Sequence, residues 1–162
     1  MSSQRNVFAN SSEHIHGTVH TGEIVDIVVE FTNITEDMIH LHSLSLVNPG
    51  KYVRLIGTSV YDSRRLGYFP AENVGDLPRE CPDEYVPSAT GSLIVKPRQS
   101  SSWFGVLAIR IMKPGRYTIR RVRVAFSANN HPGWQYQNSN MTLNVHNPPL
   151  TGPRPIPPSQ VC

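Results

Sequence analysis

Apolar and polar residues alternate with a period of two along most of this chain, and no stretch follows the 3.6-residue period of a helix. Residues 24–33 are the clearest case. Val25, Ile27, Val29 and Phe31 fall on one face, with Asp26, Glu30 and Thr32 on the other. Similar β patterns predict strands over 14–20, 38–47, 52–61, 93–95, 101–112, 116–127 and 134–146. Turn-forming residues separate them: Thr21-Gly22, the stretch 33–37, Asn48-Pro49-Gly50, Lys113-Pro114-Gly115 and the stretch 129–133. Within 116–127, Tyr117 and Ile119 share a face, but Val122, Val124 and Phe126 stay in phase only if one residue is added near Arg120 and Arg121. That slip predicts a β-bulge.

Three segments fall outside the pattern. Residues 1–12 are polar and read as a flexible N-terminus. Between about 62 and 88 the alternation dissolves among Gly67, Pro70, Gly75, Pro78, Pro82 and Pro87, an irregular connection long enough to be functional or disordered. From 147 to 162 the chain carries six of its fourteen prolines, a tail suited to polyproline II. Its Pro153-Arg-Pro-Ile-Pro-Pro158 run holds a P-x-x-P pattern that serves equally as an aromatic-groove ligand or a linker. The prediction is therefore all-β: one antiparallel sandwich of seven to eight strands over residues 13–146, with a flexible lead, a long loop and a proline-rich tail.

Pro114-Gly-Arg-Tyr117 ahead of a strand resembles the turn and tyrosine at the start of strand F in immunoglobulin-like domains. The order of Val29-Glu-Phe-Thr-Asn33, a strand, the basic Pro-Gly-x-Tyr strand and a final Gly133-Trp134 strand is similar to the accessory immunoglobulin-like domains of bacterial surface proteins and lipoproteins. The resemblance implies a Tyr117 hydroxyl bonded back to the backbone, and an architecture rather than an activity.

Charge is unevenly placed. Residues 1–84 hold all twelve acids and six basic residues, a sum of −6; residues 85–162 hold nine basic residues and no acid, +9. Such asymmetry suits an acidic partner, an anionic surface or head-to-tail association, unless interleaved strands mix the two halves and neutralise them. Arginine outnumbers lysine twelve to three, which suits phosphate or carboxylate recognition. Arg116, Arg120 and Arg123 point away from the core face, with Arg121 at the bulge and Arg110 on the preceding strand available beside them. This ladder is the candidate partner-binding surface. It suits phosphates, an anionic polysaccharide or a carboxylate-rich protein; with no aromatics interleaved in the strand, specific nucleic-acid binding is not expected. The competing structural reading pairs it with the acidic face of 26–37 in the same sheet.

Other constellations carry less. His14-x-His16 and His40-x-His42 each place two imidazoles on one strand face, an arrangement able to chelate copper or zinc, although strand faces expose polar residues in any case. Cys81 and Cys162 can pair as a disulfide that pins the tail, which favours an oxidising compartment. Glu80, Asp83 and Glu84 form a loop cluster, read as solvated. Asn10, Asn33 and Asn140 head N-x-Ser/Thr sequons in a chain rich in those residues. No nucleophile elbow, His-Glu-x-x-His or phosphate loop occurs, so the expectation is a non-enzyme needing no cofactor. No apolar run of about 18 residues offers a membrane span, and residues 1–8 lack the apolar stretch of a signal peptide. The functional expectation is a non-catalytic, extracytoplasmic binding or scaffolding module of a surface or envelope assembly, docking through its basic strand face. The alternative is a periplasmic-type copper or zinc protein using the histidine pairs.

Overall fold

The alternating segments form strands nearly where the pattern places them, and no helix occurs among the described residues. The computed structural model describes residues 2–10, 14–62, 93–98 and 100–148, to which all that follows refers. Its strands are β1 (Ser3–Gln4), β2 (Ile15–His20), β3 (Ile24–Thr32), β4 (Ile39–Leu46), β5 (Val53–Asp62), β6 (Ile94–Val95), β7 (Ser100–Ile111), β8 (Gly115–Ala128) and β9 (His131–His146). Apart from Asp62, which ends β5, the irregular connection at 62–88 lies outside the described residues, as do the tail beyond Pro148 and both Cys81 and Cys162.

Two sheets form. The larger has six strands in the order β1-β9-β8-β4-β6, with β2 also on the free side of β9; the smaller runs β3-β7-β5. Pairing is antiparallel except that β1 and β2 lie parallel to β9. One apolar core joins the sheets. Val25, Ile27, Val29, Phe31, Leu107, Ile109 and Ile111 come from the smaller, and Ile39, Leu41, Leu44, Val122, Val124, Phe126, Leu143 and Val145 from the larger. Gly105 of β7 packs tightly beneath Leu44 of the larger sheet and Phe31 of its own: an added Cβ would lie 2.6 Å from Leu44 Cδ1 and 2.9 Å from Phe31 Cζ.

Strands β8 and β9 make a long hairpin. It closes with Ala128 opposite His131, and Asn129 and Asn130 occupy the turn with φ of 48° and 67°. Asparagine tolerates that left-handed backbone, which matches the twist of the flanking strands. The expected phase slip is present. Register shifts between Ile119 and Arg121, both Arg120 and Arg121 are exposed, and Asn140 on β9 takes the matching irregularity with φ 43°. A second bulge, not anticipated, makes His42 the extra residue between Leu41 and Ser43.

The N-terminus corrects the reading of a flexible lead. After β1 pairs with Gly133 and Trp134, the chain crosses toward the smaller sheet, where Phe8 bridges to Asn33. Val7 and Phe8 are 1% and 2% exposed, and the Phe8 ring packs on Phe31 of one sheet and Phe126 of the other at 5.3 and 5.9 Å. Gln135 holds the crossing. Its buried side-chain carbonyl accepts from the Val7 and Phe8 amides at 2.7 and 3.0 Å, and its amide donates to the Phe8 carbonyl at 2.7 Å. Polar composition concealed this because Val7, Phe8 and Ala9 are the one apolar run in the segment, too short to show a period. The glutamine that satisfies its backbone lies more than 120 residues away.

Candidate functional site

The outward residues of β8 and β9 form two adjacent columns whose rows the hairpin register fixes. Across the pair stand Arg116 and Asn144, Thr118 and Thr142, Arg121 and Asn138, Arg123 and Tyr136, and Ala125 and Trp134, with Arg120 and Asn140 at the bulge. The inward residues between them, such as Ile119, Val122, Met141 and Leu143, are buried, so the guanidinium, amide and hydroxyl groups all face away from the core. Arg123 lies over the Trp134 ring at 5.1 Å and Arg121 over Tyr136 at 5.8 Å; the two rings are 4.9 Å apart. Cation–π contacts of this kind contribute about 0.5–1 kcal/mol each at exposed sites and hold the planar groups in place.

The ladder thus gathers Arg116, Arg120, Arg121 and Arg123 on one face. Arg110 does not join them. It lies on β7 in the smaller sheet, between Ile24 of β3 and Arg54 of β5, because β7 pairs with β3 and β5 rather than with the β8 that follows it. The pairing of the ladder with residues 26–37 is also absent, since β3 belongs to the other sheet. Ion pairs among the described residues are Arg5–Asp37, His20–Glu23 and Arg98–Glu36, none of which uses a β8 arginine. Strands of the larger sheet contain no Asp, Glu or Lys.

The aromatic partners are what the sequence reading missed. The aromatics of β8, Tyr117 and Phe126, pack on the core side, and the rings beside the arginines arrive from β9 instead. The signal was available: a two-residue turn at Asn129–Asn130 fixes Arg123 opposite Tyr136 by counting back from the turn.

Both histidine pairs face outward on the same sheet, but at opposite sides of it. Strands β2 and β4 are separated by β9 and β8, three inter-strand spacings or about 14 Å. His16 is level with Thr142 of β9, whereas His40 is level with Ser127 and hence Pro132, ten residues or about 33 Å along the strand. One ion with ligand distances of about 2 Å cannot span that. His40 and His42 are neighbours, with ring centroids 4.9 Å apart, and a His42 ring nitrogen bonds the Ser127 hydroxyl at 2.9 Å. No group of three or more His, Cys, Asp or Glu able to hold a metal occurs among the described residues, and His14 and His16 gain no third donor there.

Two sequon asparagines are used internally. Asn33, 2% exposed, donates to the carbonyls of Asp37 and Lys96 at 2.7 and 3.0 Å and accepts from the Thr35 amide and hydroxyl. Asn10 donates to the Tyr136 carbonyl and accepts from the Asn138 amide, filling the gap on the β9 edge between β1 and β2.

No protein-family model matches the chain, and no curated protein matches it. The solved structure of the Vibrio cholerae VesB protease superposes with a TM-score of 0.44 at 8% identity, covering 86% of this chain and 32% of that one. This chain therefore spans about a third of that protein, and so distant a likeness transfers no activity.

Proposed function

We propose that the protein is a non-catalytic binding module with an immunoglobulin-like sandwich architecture, docking an anionic component of a surface or envelope assembly through the outer face of its larger sheet. The observation that carries the docking is the acid-free guanidinium ladder of Arg116, Arg120, Arg121 and Arg123, partly seated on Trp134 and Tyr136. Four guanidinium groups on one face attract an anion at long range and grip it bidentately at contact. Supporting the architecture is the Tyr117 hydroxyl, which donates to the Lys113 carbonyl at 2.8 Å, as in a tyrosine corner. A last strand joined in parallel by an early one, β2 on β9, fits the same architecture. The extracytoplasmic setting rests on that architecture and on the two cysteines.

The test is kinetic. Association with a polyanion probe, dextran sulfate or polyglutamate, slows steeply as salt rises from about 50 to 200 mM, since exposed charges are screened over about 10 Å at 0.1 M. Reversing Arg120 and Arg123 to Glu removes most of that dependence. An unchanged rate for the double variant would rule out this face as the docking surface.

A further inference from the structure

We infer that the anionic component is a linear polysaccharide bearing carboxylate or sulfate groups, lying along the β8–β9 strip; this rests on the docking reading above. Three features of the strip select that chemistry. It is long and directional, since Arg116 and Arg123 are seven residue steps apart, about 23 Å of strand. That length suits a chain with repeating charge better than a single phosphate.

The column beside the arginines offers half-exposed or exposed amides and a hydroxyl, Asn140, Thr142 and Asn144, directly across from Arg116, Thr118 and the bulge at Arg120. Amides and hydroxyls both donate and accept, which matches sugar hydroxyls; a purely anionic surface needs no such partners. At one end Trp134 and Tyr136 present half-exposed apolar surface on which a sugar ring's C–H face can rest.

The other polyanions fit less well. A protein hot spot centres on apolar anchors that expel water, whereas here the rings stand at one end of a polar strip. Single-stranded nucleic acid stacks successive bases on rings spaced along its path, but the two rings here stand together at one end of the strip. All four arginines and no lysine favour planar, bidentate anions along the chain.

The experiment titrates the intact chain at about 0.15 M salt, where long-range attraction is screened beyond about 8 Å. Four probes are used: polygalacturonate, dextran sulfate, polyglutamate and oligothymidylate. The two sugar polymers separate carboxylate from sulfate as the source of charge. The expected result is that one of them binds at least tenfold more tightly than polyglutamate and oligothymidylate. Trp134→Ala then weakens that complex about tenfold, equivalent to about 1.4 kcal/mol, and the exposed Asn144→Ala, remote from the core, weakens it severalfold. Circular dichroism and melting of both variants separate lost binding from lost folding. Equal or tighter binding of polyglutamate or oligothymidylate overturns the polysaccharide while leaving the docking face intact, provided reversal of Arg120 and Arg123 abolishes it. Sugar binding indifferent to both Trp134→Ala and Asn144→Ala also overturns it. If no probe binds, or reversal of Arg120 and Arg123 changes nothing, the docking reading itself fails.

Discussion

Strands of the larger sheet carry Arg116, Arg120, Arg121 and Arg123 without an acid, whereas those of the smaller carry Asp26, Glu30 and Asp62 with Arg54 and Arg110. Their inner faces are alike, both built from aliphatic and aromatic residues closing one core. Outward, they diverge. On the central strand of the smaller sheet, Phe104, Val106 and Ala108 have the parity opposite to the core residues Leu107 and Ile109 and are nonetheless buried, so β7 is apolar on both sides of its pleat. On the central strands of the larger sheet no outward position from Arg116 to Arg123 or from Trp134 to Asn144 is buried. In the larger sheet the core constrains only the inner face, and the outer face collects charge that sequence halves only hint at.

The largest expected effect tests whether the sheets share their core through the N-terminal crossing. Phe8→Ala removes a ring wedged between Phe31 and Phe126 and should cost about 3–5 kcal/mol in denaturant unfolding. A variant within 1 kcal/mol of the parent would return residues 1–12 to a flexible lead.

Next in size is the tight packing at Gly105. Gly105→Ala places a methyl within 3 Å of Leu44 and Phe31 and should destabilise by about 1–3 kcal/mol through overpacking. Thermal melting reads this directly, and a neutral result would mean that the two faces are looser than the contact implies.

Smaller still is the corner at the start of β8. Tyr117→Phe keeps the ring against the core and deletes one hydrogen bond to Lys113, with an expected loss of about 0.5–1.5 kcal/mol. The tyrosine is bonded as the resemblance implies but only half-buried, which favours the lower end.

The smallest change in stability should come from the outer face. Arg116→Glu with Arg120→Glu should shift unfolding free energy by less than about 0.5 kcal/mol per site, because neither guanidinium has an ion pair or ring contact among the described residues. A loss of several kcal/mol would make the ladder structural and erase the contrast between the two sheets.

Local periodicity determined much of the protein. Strands β2 to β9, the β8 bulge, the turns and the outward direction of Arg116, Arg120, Arg121 and Arg123 follow from alternation and turn chemistry, which act within a few residues. The Tyr117 bond was implied by the resemblance of Pro114-Gly-Arg-Tyr117 to an immunoglobulin-like corner, and its acceptor lies four residues upstream. Tertiary structure alone decided which sheet each strand joined. That choice separated Arg110 from the ladder, removed 26–37 as its counter-charge, brought Trp134 and Tyr136 beside Arg123 and Arg121, and carried the two histidine pairs to opposite sides of one sheet. It also buried Val7 and Phe8, whose backbone groups depend on Gln135. Strand pairing and core closure join residues far apart in sequence, and the energies that select them come from contacts that no local pattern of apolar and polar positions records.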